Sequence, residues 1–182
     1  EAESVFLSWR FPGAGHPDGE KLELLSQILF NGTAGLFDLN LIQQQKVLYG
    51  LCTPFTMSDY SAFIMYGGPK QGQTLEEVKD LFFAELKNLR EGNFDEGLLE
   101  GILNTYKRSQ QMQLESNDSR ADMFVNSFVN GTNWADEVGR MERLANITKQ
   151  DIVDFANKYL NENNCAIIYK RQGVDPNEMK ID

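Results

Sequence analysis

One histidine, His16, is all the imidazole this 182-residue chain has. A catalytic zinc site takes about three protein ligands, usually including histidines, and leaves one position open for water. His16 stands in a Gly/Pro loop with no helical partner one turn away, so it reads as an exposed loop residue and not as half of a two-histidine zinc motif. The same shortage removes the base that a serine or cysteine nucleophile would need, and no Gly-x-Ser-x-Gly turn occurs. The sequence therefore predicts neither a catalytic nor a metal-binding residue in this chain.

Cysteine is almost as scarce. Cys52 and Cys165 are too few for a disulfide framework and are not spaced as a metal knuckle. Each lies in a strand-like run, where a free cysteine acts as a small hydrophobe. No apolar run approaches the ~20 residues of a membrane-spanning helix. Positive charge is also sparse: the net charge is −10 at pH 7, and the densest basic cluster is the pair Lys170-Arg171. Nucleic acid and anionic lipid, which are held by Lys/Arg patches, are thus excluded as expected partners.

Apparent motifs dissolve on spacing. Gly13, Gly15 and Gly19 follow a strand and precede a helix as a dinucleotide fingerprint would, but the third glycine comes one residue late. Gly67-Gly68-Pro69-Lys70 lacks the spacing and hydroxyl of a phosphate loop. The acidic pairs Glu76-Glu77 and Asp95-Glu96 fall in first helical turns, where they complement the helix dipole. Sequons at Asn31, Asn117, Asn130 and Asn146 matter only in a eukaryotic secretory setting.

What is present is a clear alternation of elements. Val5, Leu7, Trp9 and Phe11 recur with the strand period, interrupted only by Phe6. Asp18 is placed to cap a helix carrying Leu22, Leu25, Ile28 and Leu29, which Gly32 stops. A small-residue turn over 31–35 leads to a short glutamine-rich helix from Leu36 to Gln45. Two strands follow, Tyr49 to Phe55 and Tyr60 to Gly67. Thr74 and Glu77 form a capping box before the stripe Leu75, Val78, Phe82, Leu86 and Leu89. Further helices are expected after Asp95, from Ser119 to Phe128, from about Trp134 with Val138, Met141 and Leu144, and after Thr148. Cys165 to Tyr169 is the last strand. Hairpin strands and segregated helices predict an α+β domain, a largely antiparallel sheet with helices packed on one face. Residues 1–173 form this single domain and residues 174–182 read as a linker toward a following one. The start at Glu1, without an initiator Met, reads as a segment of a longer protein, and the compartment stays open.

Several phrases in this order resemble the insulinase/pitrilysin zinc metallopeptidases, the inverzincins whose catalytic motif is H-x-x-E-H. They are Val5 to Pro12 as an opening strand, Leu22 to Gly32, Leu36 to Tyr49, and Ile147 to Ile152 with Lys158-Tyr159-Leu160. The closing strand Cys165 to Tyr169 completes the set. The resemblance is to a domain of that family without the motif, and the α+β fold is the one shared with mitochondrial processing peptidase. It implies a non-catalytic domain of a zinc endopeptidase, packing against the catalytic domain of the same or a partner chain and walling a chamber around the peptide substrate. Zinc is then expected in the catalytic domain of the parent protein and none here. In active relatives an Arg and a Tyr, spaced as Ile42 and Tyr49 are here, hold the substrate carbonyl. Tyr49 matches the tyrosine and is the one candidate substrate-binding residue, whereas Ile42 replaces the arginine and can donate nothing. Ala34-Gly35-Leu36 likewise departs from the family's small-Arg-Leu turn. The competing readings are a non-peptidase scaffold of the same fold group, like the core subunits of respiratory complex III, and an unrelated ligand-binding module.

Overall fold

The computed structural model describes residues 2–173, so the linker expected over 174–182 lies outside the described residues. The strand period of the first segment places Val5, Leu7, Trp9 and Phe11 of β1 (Ser4–Pro12) on one face, each at most 4% exposed. β1 is paired antiparallel on both sides, to β3 (Tyr60–Gly68) and to β4 (Ala166–Lys170), and β2 (Tyr49–Thr56) closes the order β2-β3-β1-β4. Phe6, the residue that breaks the alternation, lies on the opposite face and stacks on Tyr66 at 4.3 Å between ring centroids. A large apolar residue on the outer face is thus matched across strands and does not disturb register.

The inner face is covered by α1 (Asp18–Leu29), α2 (Leu75–Arg90) and α6 (Lys149–Tyr159). The predicted capping box is present, with Thr74 accepting from the Glu77 N–H, and a second one starts α6, where Thr148 accepts from the Asp151 N–H. Phe82 of α2 stacks on Phe37 at 4.8 Å. It also presses on the sheet where glycine allows it, since a Cβ on Gly67 would stand 2.5 Å from the Phe82 ring. Trp9 donates from Nε1 to the Asn161 carbonyl at 3.0 Å, and Phe11 stacks on Phe155 at 5.7 Å, which ties β1 to the end of α6. The expected α+β architecture with helices on one sheet face is the one observed.

The remaining helices, α3 (Glu96–Glu115), α4 (Asn117–Asn130) and α5 (Trp134–Ala145), extend from this core as an arm. Their starts are capped by Asp95, Ser116 and Asn133, and Gly131 ends α4 at φ +64°. Arg143 bonds Glu20 at 2.7 Å and Arg140 bonds Glu23, fastening α5 to α1.

Some local expectations are corrected. Asp18 does not cap α1: Pro17 occupies that position and the Asp18 N–H instead donates to Nδ1 of His16 at 3.1 Å. The Asp18 carboxylate is taken by the Tyr159 hydroxyl at 2.7 Å, a tertiary contact that outcompetes the local cap. α1 ends at Leu29, with Phe30 as its extended cap, before Gly32. The glutamine-rich helix is shorter than Leu36 to Gln45: it is a wide π-type turn over Asp38–Ile42, and the chain leaves it through Gln45 at φ 51°.

Candidate functional site

The turn over 31–35 is organised by a residue the sequence reading passed over. Asp38 is 5% exposed, and its Oδ2 accepts the backbone N–H groups of Asn31, Gly32 and Gly35 at 2.9, 3.1 and 3.0 Å. Three backbone donors on one carboxylate oxygen satisfy groups that the end of α1 and the tight turn leave unpaired. Gly35 is obligatory here, because a Cβ would sit 2.6 Å from the Leu29 carbonyl and 2.8 Å from the Asp38 carboxylate. The departure from a small-Arg-Leu turn is therefore built into this packing. An acid a few residues after a glycine turn, at the start of a helix, is the signal that could have revealed Asp38.

Tyr49 opens β2 on the outer face of the sheet, half-buried, with its ring against Gly68 and a 2.9 Å bond from its hydroxyl to that of Tyr66. Burial and the Tyr66 hydroxyl push the Tyr49 phenol up to about 12, so it is neutral at physiological pH. Ile42 packs against the edge of the hydrophobic core. Tyr49 thus has another tyrosine as its hydrogen-bonding partner and lies beside a row of apolar and aromatic side chains on the open sheet face. That row runs Leu51, Tyr66, Phe6, Ile168 across the four strands.

Among the described residues no group of three His, Cys, Asp or Glu side chains is placed to hold an ion. His16 uses Nδ1 to accept the Asp18 N–H. Cys52 is buried, with its thiol pushed well up by that burial and by the Asp38 carboxylate, and it points at the Ser26 carbonyl. A zinc ion does not fit these residues. No helix among the described residues is long and apolar enough to cross a membrane.

What the molecule does offer is surface. Exposed apolar side chains concentrate on the arm: Phe128 is 87% exposed, Val129 and Val138 65%, and Val125 56%. Phe124 stacks on Trp134 at 4.2 Å, joining α4 and α5 into one apolar ridge. Scattered exposed hydrophobics are ordinary; these are grouped on two adjacent helices. Behind it a polar cleft runs between the 13–19 loop and Thr132, Asn133, Arg140 and Arg143. Burial lowers the Arg140 value, and the hydrogen bond and charge of Glu23 more than offset it, so Arg140 is held in its charged form.

A four-stranded antiparallel sheet with helices on one face defines an α+β domain. The family profile of the Peptidase M16 inactive domain matches residues 1–106, and the chain belongs to that family. Curated proteins yield no match. Among solved structures, a protease from Helicobacter pylori is similar with a TM-score of 0.85 at 21% identity, over 92% of this chain and 40% of that one. The inactive peptidase domain of a proposed zinc protease from Bordetella parapertussis gives a TM-score of 0.81 at 16% identity, over 96% of this chain and 94% of that one. A chain of Complex III2 from Candida albicans gives 0.69 at 12% identity, over 92% and 42%. At these identities the likeness speaks for the fold. The family resemblance read from the sequence is borne out, as is its assignment to a motif-less domain.

Proposed function

We propose that this chain is the non-catalytic domain of a zinc endopeptidase, that it packs against the catalytic domain of the same or a partner chain, and that it forms part of the wall enclosing a peptide substrate. The zinc belongs to that catalytic domain. The observation that carries the reading is the apolar ridge of α4 and α5, with Phe128 left 87% exposed, on a member of an inactive-domain family. Burying such a ridge is worth roughly 25 cal/mol per Å² of apolar surface, enough to favour a standing contact over solvent. Within this reading Tyr49 lies on the enclosed surface as the substrate-contacting candidate. Turnover in the whole enzyme should fall with Tyr49→Phe; unchanged peptide turnover leaves Tyr49 as packing for Tyr66 only.

Titrating the chain with the parent protein's catalytic domain, followed by calorimetry, tests the docking. Saturable binding that Phe128→Ser weakens is the expected result, and no binding by the unaltered chain removes the reading. Metal analysis of the isolated chain separates the roles further, since one tight zinc per chain would contradict a non-catalytic domain. A second reading, a scaffold domain without peptidase activity, draws on the likeness to the Complex III2 chain. It is preferred if the assembled parent protein docks through the same ridge but has no zinc and cleaves no peptide.

A further inference from the structure

The two edges of the sheet are not equivalent. The β2–β3 hairpin is closed by the Met57 N–H bonding the Tyr60 carbonyl at 3.2 Å, which fixes alternate residues as the hydrogen-bonded pairs: Phe55 with Ala62, Thr53 with Ile64, Leu51 with Tyr66. Gly50, Cys52 and Pro54 therefore turn their backbone outward on the β2 edge, and Pro54 has no N–H to offer there. Carried across β3 and β1, the same alternation bonds Ser4, Phe6 and Ser8 to Lys170, Ile168 and Ala166. The N–H and C=O groups of Ile167 and Tyr169 then point out of the sheet at the β4 edge.

Among the described residues that edge has few guards. β4 contains no proline and no bulge, Ile167 is 38% and Ile168 59% exposed, and only Lys170 carries charge. An unguarded, apolar edge strand is a template for pairing with another strand. We infer that β4 pairs antiparallel with β4 of a second copy of this chain about a twofold axis through Ile168. The register makes this edge self-complementary, which suits a second copy of the same strand. With Ile168 opposite its own copy, Ile167 faces Tyr169 of the other chain on both sides of the axis. The outward groups of both strands are then used in four mutual hydrogen bonds.

The side chains agree with that register. Ile168 meets Ile168 in the non-hydrogen-bonded position, where Cα atoms come within about 4.5 Å and side chains touch. Lys170 falls opposite Ala166 and Arg171 opposite Cys165, so no like charges oppose each other across the strands. The outer-face row Leu51, Tyr66, Phe6, Ile168 becomes continuous with its copy across an eight-stranded sheet. The pairing uses none of the α4–α5 ridge, so it stands whether or not the docking proposal does. The interface is small, which makes the dimer weak and concentration-dependent.

Analytical ultracentrifugation of the chain over about 10 μM to 1 mM tests this. A reversible monomer–dimer equilibrium is expected, weakened at least tenfold by Ile168→Lys, which sets like charges face to face, and by Ile167→Pro, which deletes an N–H that the β1 ladder does not use. Far-UV circular dichroism checks that both variants fold; should Ile167→Pro unfold, Ile168→Lys decides. In a Cys165→Ser background, Ile168→Cys should oxidise to a covalent dimer, while Phe128→Cys at the arm should not. A chain that is monomeric throughout, a dimer indifferent to both β4 substitutions, or an Ile168→Cys that cross-links no faster than Phe128→Cys overturns the inference.

Discussion

The sheet with α1, α2 and α6 and the arm of α3 to α5 are built from helices of similar length, yet they are stabilised differently. α2 buries Leu75, Val78, Phe82, Leu86 and Leu89, whereas α4 buries only Ser127 and α5 only Leu144. The arm is held to the core by side-chain contacts such as Arg143 to Glu20 and by its own caps. α3 buries Leu99 and Ile102 against the core, whereas α4 and α5 keep Phe128, Val129 and Val138 outward. The family profile also stops at residue 106, inside α3 and before the exposed ridge begins.

Substitutions in the interior should therefore cost most. Phe82→Ala removes a fully buried ring that stacks on Phe37 and fills the space over Gly67. A loss of about 3–5 kcal/mol in urea unfolding is expected, from lost transfer energy and the cavity left behind. A loss below about 1 kcal/mol would mean that the sheet-side core is as loosely built as the arm. Next comes the buried polar anchor. Asp38→Ala leaves the Asn31, Gly32 and Gly35 donors unsatisfied and should cost about 2–4 kcal/mol. Asp38→Asn keeps an acceptor oxygen and should lose roughly half as much by the same measurement.

These two positions also show where sequence was informative and where it was not. Phe82 was legible because its neighbours at helical spacing leave one face to bury, and the β1 alternation was legible for the same reason with the strand period. The capping boxes at Thr74 and Thr148 were readable because a cap is a local bond between residues three apart. Asp38 was not, since what makes it matter is a turn whose donors become its partners only after α1 has ended. Asp18 failed likewise, its carboxylate being claimed by Tyr159 from the far end of the chain. At α5 the period of Val138, Met141 and Leu144 said that a face would be covered without saying by what. Leu144 is buried and Met141 packs partly against the core, while Val138 stays 65% exposed. Tyr49 was singled out through family resemblance, and its bond to Tyr66 could not be read from either residue alone.

A smaller effect is expected at the α6 cap. Thr148→Ala should cost about 1 kcal/mol. The Thr148 hydroxyl and backbone N–H hold the Asp151 carboxyl below its usual value. A depressed carboxylate contributes stability that is present above its unfolded value, near about 3.9, and is lost as pH falls through the folded value. Unfolding midpoints measured between neutral pH and the acid range should show a shallower acid fall in Thr148→Ala than in the parent chain. Parallel curves would mean that the cap holds α6 without favouring the charged form of Asp151.

The least effect on stability is predicted where exposure is greatest. Phe128→Ser replaces a ring that is 87% exposed, so urea unfolding should change by less than about 0.5 kcal/mol. The same substitution should weaken binding to the catalytic domain by about tenfold or more, because a bulky aromatic at the centre of a contact contributes far more there than in the free chain. That split is the sharpest form of the contrast between the two regions. A loss of stability without a loss of binding would make Phe128 part of the interior after all. No change in either would leave the α4–α5 ridge without a partner and the polar cleft behind it as the remaining surface to test.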